Sequence, residues 1–251
     1  AIEEDRDRVT EQLRDSHLVF ITAGMGGGTG TGAAPSVAAI ARELGALTIG
    51  IVTEPFLMEG FPRMRNALTG IAELQEHVDT LITIKNQRLL SICSRDTTLQ
   101  EAFLKADEVL MQATRGISDL ITVPGMINLD FNDVKTIIEK GGNAIMGVGS
   151  HRGENRALEA AKRAIKSPLL EEVSIDGAKR VLVNIAAGSS LTLFEVNEAM
   201  SLVQDAVGQE ANIIFGTVLD DRLVDEIRVT VLATGFEARE EERPALAHVD
   251  P

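Results

Sequence analysis

Six of nine consecutive residues near the start of the chain are glycines, and this cluster limits the fold more strongly than any other feature. The cluster spans residues 24–32, with the sequence GMGGGTGTG, and directly follows the apolar run 18–21. Apolar residues then recur every three or four positions near 36–44, which predicts a helix with Pro35 in its first turn. A strand, a glycine-rich turn and a helix therefore follow one another, as in an α/β unit.

Such a turn is suited to binding a phosphate chain. Successive glycines can direct several backbone N–H groups into one concavity, and the following helix adds partial positive charge there. Thr29 and Thr31 contribute hydroxyl donors, which a turn built only for close packing does not require. A packing turn is the alternative interpretation. The sequence contains no G-x-x-x-x-G-K-[ST], and the glycine cluster does not match G-x-G-x-x-G, which disfavours a P-loop and a dinucleotide-binding fold.

The stretch AGMGGGTGTGAAP resembles the tubulin-type signature G-G-G-T-G-[ST]-G of the FtsZ family, the bacterial cell-division GTPases related to tubulin. The resemblance extends from about Ile2 to Phe236 and includes TEPFLMEG, GMINLDFNDV, SPLLE and RVTVLATGF. It implies a self-assembling GTPase that binds GTP or GDP with Mg²⁺ and forms head-to-tail filaments of the division ring. It also implies division-ring proteins and membrane tethers as partners, and a cytoplasmic location at the division site.

The resemblance also implies a nucleotide site. Its residues are Gly26, Gly27, Gly28, Thr29, Gly30, Thr31, Gly32, Glu59, Arg63, Asn86 and Asp107. The glycine cluster would wrap the phosphates, Glu59 and Arg63 would face the ribose and phosphates, and Asn86 and Asp107 would hold the ribose and guanine. The guanidinium of Arg63 can donate charge-assisted hydrogen bonds to phosphate, and the carboxylate of Asp107 can accept from two N–H groups of guanine. Taken alone, however, each of these residues is more often a solvated charge on the protein surface. The four histidines lie far apart, and no residue is assigned to a metal.

A second candidate site is the segment 125–133, which contains Asn128, Asp130 and Asp133. From the residues alone, Asn128 or Asp130 caps a helix predicted at 131–140, and Asp133 lies favourably in its first turn. By resemblance, 125–133 is the catalytic loop that enters the neighbouring subunit's nucleotide site, where its aspartates orient the attacking water. If the nucleotide site and the catalytic loop lie at opposite ends of one subunit, catalysis would require subunits to stack head to tail. A head-to-tail interface that does not close into a ring produces a filament.

The periodicity of apolar residues predicts an α/β fold with a parallel sheet and a long central helix at 98–122. The other predicted helices are at 1–15, 36–44, 64–78, 131–140, 154–166 and 192–207, and the predicted strands are at 17–23, 47–52, 80–84, 180–186, 211–218 and 226–233. We assign 1–122 to a Rossmann-like, tubulin-type GTPase domain and 123–236 to a second, smaller α/β domain. Residues 237–251 are predicted to form a disordered acidic tail.

The net charge of −14 argues against nucleic acid or an anionic membrane surface as the main partner. No apolar run approaches 18 residues, so direct membrane insertion is not expected. The single Cys93 excludes an intramolecular disulfide.

Proteins of the family that this chain resembles begin with a strand, a first glycine-rich turn and further βα units before the helix at which this chain starts. By that comparison the chain is expected to be N-terminally truncated, with an incomplete GTPase domain and one unpaired sheet edge. Two hypotheses follow. In the first, the working protein contains the missing segment and hydrolyses GTP, whereas these 251 residues alone are inactive. In the second, the chain is a catalytically inactive module that caps filaments or complements a partner.

Overall fold

Seven strands form one continuous sheet in the computed structural model, which describes residues 5–167 and 175–236. The strands are β1 (Leu18–Gly24), β2 (Leu47–Glu54), β3 (Thr80–Lys85), β4 (Gly142–Arg152), β5 (Arg180–Ala187), β6 (Asn212–Leu219) and β7 (Glu226–Thr234). Their order across the sheet is β1-β2-β3-β4-β7-β5-β6. Only β7 runs antiparallel to its neighbours, so the predicted α/β fold with a mostly parallel sheet is confirmed. The predicted tail at 237–251 lies outside the described residues.

Helices cover both faces of this sheet. They are α1 (Arg6–Leu13), α2 (Thr29–Glu43), α3 (Phe61–His77), α4 (Asn86–Leu89), α5 (Leu99–Thr122), α6 (Phe131–Ile138), α7 (Arg156–Ile165) and α8 (Leu193–Val207). α5 and α6 pack on one face, against strands from both halves of the sheet. On the opposite face, α2 and α3 cover β1 and β2, and α7 and α8 cover β5 and β7. The 24-residue α5 confirms the predicted long helix.

The sequence did not predict β4, the strand that joins the two halves of the sheet. β4 pairs in parallel with β3 through only three residue pairs and antiparallel with β7 through eight. Its sequence contains three glycines, which weaken a strand signal. One of them, Gly149, is required by packing, because a Cβ atom there would overlap the backbone of α7 at Ala160. The sheet is therefore continuous across the proposed division at residue 122, and the division into two domains stays a prediction.

The start of α2 also differs from the prediction. The helix begins at Thr29, inside the glycine cluster, so Pro35 is its seventh residue and the prediction of proline in the first turn is wrong. The first turn is held by close packing. A Cβ atom on Gly70 of α3 would overlap the side chain of Thr31, and one on Gly30 would lie 2.7 Å from the carbonyl oxygen of Gly24. These contacts stabilise a helical turn that the local sequence does not favour.

A buried ion pair ties α7 to α8. Arg156 is 7% exposed and its Nε atom donates to Glu195 Oε1 at 2.7 Å. The same carboxylate accepts from the backbone N–H of Thr192, which caps α8. The pKa of the Glu195 carboxyl lies below its ordinary value of 4.5: partial burial alone would raise the pKa, but the hydrogen bonds from Arg156 and Thr192 outweigh it.

We expect Glu195→Gln to lower the free energy of unfolding by about 3 kcal/mol at pH 7, because it removes the nearer of the two carboxylates that pair with the buried Arg156 and leaves only the exposed Asp225 at 3.4 Å. A carboxylate with a lowered pKa stabilises the fold above pH 4.5 and loses that effect as the pH falls through its folded-state pKa. The difference between wild type and variant should therefore shrink in acid. Urea unfolding at pH 7 and pH 4 measures it, with the exposed Glu210→Gln as control. An equal difference at both pH values would contradict this account.

Candidate functional site

The glycine cluster lies where β1 ends and α2 begins. Gly24 is the last residue of β1, and Gly28 is the N-cap residue of α2, to which no side chain donates or accepts as a cap. The first N–H groups of a helix have no partner within the helix, and they attract anions together with the helix dipole. In parallel sheets, ligands bind beside the carboxyl ends of the strands, and the cluster lies at such an end.

Five of the six glycines of the cluster, all except Gly24 at the end of β1, fall into two classes. Gly26 has φ of +99° and a Cβ atom there would lie 2.7 Å from the carbonyl oxygen of Arg63, and Gly30 packs against Gly24. By contrast, a Cβ atom on Gly27, Gly28 or Gly32 would meet no atom within 4 Å, and none of these three has positive φ. Neither backbone conformation nor packing requires glycine at these three positions. The open space beside them is consistent with a cradle for a ligand.

The two threonines of the cluster differ in their contacts. Thr31 Oγ1 accepts a hydrogen bond from the backbone N–H of Gly26 at 2.8 Å, so that N–H group is already used within the loop. The N–H group of Gly32 is used as well, because it donates to the carbonyl of Gly28 at 3.1 Å, and the role of the cluster in binding phosphate stays a prediction. Thr29 is exposed at the first position of α2.

Glu59 and Arg63 lie together beside the glycine cluster. Glu59 Oε2 is 2.8 Å from Arg63 Nε, and Glu59 Oε1 accepts from the backbone N–H of Phe56 at 2.8 Å. The backbone and Cγ atom of Arg63 lie against Gly26, while the side chain of Arg63 is 49% exposed. The structure thus brings an exposed cation to the edge of the glycine cluster, and Glu59 fixes its direction.

Asn86 and Asp107 have different surroundings. Asn86 follows β3, is 4% exposed, and its Oδ1 atom has no hydrogen-bond partner. An unpaired buried amide oxygen costs about 1–3 kcal/mol, so it suits a site completed by a ligand. Asp107 is exposed on α5 and lines an open groove of about 510 Å³ beside β1. None of the other predicted nucleotide-site residues lines this groove.

The segment 125–133 forms the start of α6. Asp130 is the N-cap residue: its Oδ1 atom accepts from the backbone N–H of Asp133 at 2.9 Å, and Asp133 Oδ2 accepts from that of Asp130 at 3.3 Å. Asn128 Oδ1 accepts from the N–H of Gly125 at 2.7 Å. The capping interpretation therefore describes the local contacts correctly. It occupies one oxygen of each aspartate and leaves the other for a further partner.

Strand β6 holds this segment in place. The backbone N–H of Ile127 donates to Thr217 Oγ1 at 2.8 Å, and the N–H of Thr217 donates to the carbonyl of Ile127 at 3.0 Å. A Cβ atom on Gly125 would overlap the carbonyl oxygen of Thr217, so only glycine fits there. The sequence did not identify Thr217, because a contact across 90 positions leaves no local pattern.

The two candidate sites lie at opposite ends of β1. The glycine cluster follows Gly24, at the carboxyl end of the strand. At the other end, the ring of Phe131 in α6 lies 6.1 Å from that of His17, which directly precedes Leu18. Seven residues of extended strand place these ends about 20 Å apart. Asp130 and Asp133 are thus too distant to act on a phosphate bound at the glycine cluster of the same subunit.

The described residues contain neither a cluster of metal-ligating side chains nor a helix that could span a membrane. Residues 5–167 and 175–236 contain no group of three or more His, Cys, Asp or Glu side chains arranged to hold a metal ion. In the same residues, no helix combines the length and apolar character needed to cross a membrane.

Two family models match the chain. The GTPase domain of the tubulin/FtsZ family matches residues 1–94, and the C-terminal domain of the FtsZ family matches residues 142–237. The first model includes the glycine cluster, Glu59, Arg63 and Asn86, whereas Asp107 and the segment 125–133 lie between the two matched ranges.

Solved structures agree with these matches. The chain is 44% identical to FtsZ from M. jannaschii, solved as an empty dimer, with a TM-score of 0.89 over 93% of this chain and 67% of that one. A mutant of the same FtsZ gives 44% identity and a TM-score of 0.90 over 95% of this chain and 71% of that one. GDP-bound CetZ1 from Haloferax volcanii shares the fold, with 20% identity and a TM-score of 0.75 over 94% of this chain and 71% of that one.

Proposed function

The chain belongs to the FtsZ family of tubulin-related GTPases, and on that basis we propose that it hydrolyses GTP between successive subunits of a head-to-tail filament. The glycine cluster and Arg63 of one subunit bind the phosphates. Asp130 and Asp133 of the next subunit position the attacking water. The observation that carries this proposal is the distance of about 20 Å between the two half-sites along β1, which one subunit alone does not bridge. A second copy, stacked end to end, brings them together.

The proposed chemistry is mainly binding and positioning. Open N–H groups at the start of α2 hold phosphate oxygens, and Arg63 adds a charge-assisted hydrogen bond. Asn86 binds the ribose through its unpaired oxygen. The free oxygen of each aspartate accepts a hydrogen bond from water and aligns it with the terminal phosphate.

Mg²⁺ fits this site as a companion of the nucleotide. The described residues supply no multidentate cluster of carboxylates, and Mg²⁺ commonly keeps several waters and binds phosphate oxygens directly. Beside the glycine cluster, the hydroxyl groups of Thr29 and Thr31 and the carboxylate of Glu59 are the side-chain groups that would supply oxygen ligands. When bound, the ion offsets phosphate charge.

We extend the proposal to the cellular role of the family. The chain acts in the cytoplasm at the division site, together with division-ring proteins and membrane tethers. Its first partner is a second copy of itself, and the dimeric FtsZ structure from M. jannaschii supports self-association. Nucleic acid is not among the proposed partners.

A second candidate function is a catalytically inactive module that caps filaments or complements a partner. The position of β1 at one edge of the described sheet and the open groove at Asp107 favour it, because both leave surface that a second chain could cover. On this view the chain does not turn over GTP, and a partner strand that pairs with β1 forms a complex without restoring turnover. The two functions differ in one measurable quantity, the GTPase rate of the full-length protein.

Mixing two inactive variants tests the composite site. Gly28→Ala adds a methyl group where phosphate is proposed to bind, without a clash in the protein. It should weaken GTP binding roughly 10- to 100-fold, because the methyl group displaces a phosphate oxygen from its hydrogen bond with a backbone N–H group. Asp133→Ala keeps the pocket and removes the water-positioning group. At low GTP each variant alone should be nearly inactive. An equal mixture should recover roughly a quarter of the wild-type rate, because one contact in four joins an intact pocket to an intact loop.

The mixture needs two controls. Each variant alone, at the total protein concentration of the mixture, gives the background rate. Thermal unfolding shows that both variants are folded. A mixture that remains at background would contradict a site shared between subunits. Full activity of Asp133→Ala alone would also contradict it.

A further inference from the structure

Side-chain donors from three strands of the sheet hold the carboxyl end of α6. The last carbonyl groups of a helix have no partner within the helix and often face water. Here each of them accepts a hydrogen bond. The carbonyl oxygen of Lys135 accepts from the backbone N–H of Glu139 at 2.8 Å, and that of Thr136 accepts from the guanidinium of Arg180 at 2.9 Å. The carbonyl oxygens of Ile137 and Ile138 accept from the hydroxyl groups of Thr234 at 3.0 Å and Thr80 at 2.6 Å.

Arg180 makes the largest contribution. Its Nη1 atom donates to the carbonyl oxygens of Thr136 and Glu139, both at 2.9 Å, and its Nη2 atom donates to that of Lys140 at 3.1 Å. A guanidinium presents its N–H groups as a rigid planar fork that can bind several carbonyls at once, whereas the ammonium group of lysine is a point charge on a flexible chain. Its positive charge also lies at the end of α6 where the helix dipole is negative.

The donors come from both halves of the sheet. Thr80 begins β3, Arg180 begins β5 and Thr234 ends β7. The carboxyl end of α6 is therefore fixed to three strands, while its amino end presents Asp130 and Asp133. α6 has eight residues and is about 12 Å long. A tilt of about 5° at the fixed end would displace the aspartates by about 1 Å.

We propose that Arg180 is a positioning residue that sets where the loop of one subunit presents Asp130 and Asp133 to the nucleotide of the next. This inference rests on the proposed function. A misplacement of about 1 Å in a catalytic group can lower a rate about 10²-fold. The arginine acts through α6 and has no contact with the nucleotide, so it affects turnover and not nucleotide affinity.

Arg180→Lys in the full-length protein tests the proposal. The substitution keeps the charge at the helix end and removes the fork that joins three carbonyls. We expect kcat to fall roughly 10- to 100-fold while GTP affinity and KM stay within about twofold of wild type. The matched control is Arg163→Lys, since Arg163 is an exposed arginine that donates to a single carbonyl, that of Ser150, at 2.8 Å. Its turnover should be unchanged.

Complementation separates positioning from folding. Arg180→Lys mixed with Gly28→Ala should regain activity, because the second variant supplies an intact α6 to the intact pocket of the first. Normal turnover of Arg180→Lys, loss of GTP affinity together with turnover, or failure of this mixture to regain activity would each overturn the inference. If the Asp133→Ala mixture recovers and the Arg180→Lys prediction fails, only this inference is wrong. If neither mixture recovers, the proposed function fails.

Discussion

Asp133→Ala is expected to leave GTP binding intact and to lower the GTPase rate of the full-length protein by roughly 10²- to 10⁴-fold, the range for loss of a water-positioning or proton-handling side chain. The residue lies at the start of α6, about 20 Å from the glycine cluster of its own subunit, so its proposed effect is on the neighbouring nucleotide. Within its own subunit, Asp133 forms the capping box with Asp130. Loss of that cap costs about 1 kcal/mol of stability and has no direct route to the nucleotide.

The chain contains a matched control for this experiment. Thr98 and Glu101 form the same capping box at the start of α5, and Glu101 occupies the position that Asp133 occupies in α6. Glu101→Ala should lower the thermal midpoint by a similar amount and leave turnover unchanged. Rates and midpoints are measured on the same samples. A lowered midpoint with normal turnover in Asp133→Ala would remove Asp133 from the catalytic site.

The full-length protein should prefer GTP to ATP by at least about 10²-fold. We propose that the Asp107 carboxylate accepts from guanine N1–H and N2–H₂, whereas adenine presents an acceptor nitrogen at the first of these positions. Two acceptors facing each other leave a polar group unpaired, at a cost of a few kcal/mol. Asp107→Ala should remove most of this preference.

Competition of labelled GTP by unlabelled ATP measures the preference. Glu108→Ala is the control, because Glu108 is the next residue on α5 and pairs with Lys105 at 2.9 Å. That variant should keep the wild-type ratio. Equal displacement by both nucleotides in the wild type would show that Asp107 does not select guanine.

Local sequence signals predicted much of this structure. The apolar run, glycine cluster and apolar helix were found as β1 and α2, and a regular apolar repeat located the 24-residue α5. The signals that failed were overridden by tertiary contacts. β4 contains glycines because α7 packs directly on it, and α2 begins early because α3 and the end of β1 hold its first turn.

The contacts that build the candidate site were harder to predict from the sequence than the helices and strands. Asp130 was predicted to cap α6 and does so. The groups that fix the loop and the far end of that helix, Thr217 and Arg180, lie on other strands and carry no motif. A catalytic role shared between two subunits leaves no spacing pattern within one chain, so only the family resemblance suggested it.

The two classes of glycine in the cluster have an evolutionary consequence. At Gly26 and Gly30, any side chain meets the protein itself, so substitutions there are removed by selection for a folded chain, whatever the chain binds. At Gly27, Gly28 and Gly32 the fold tolerates a methyl group. If these positions face phosphate, only selection for nucleotide binding preserves them. A descendant that had lost its nucleotide but kept its fold would retain the first pair and drift at the other three.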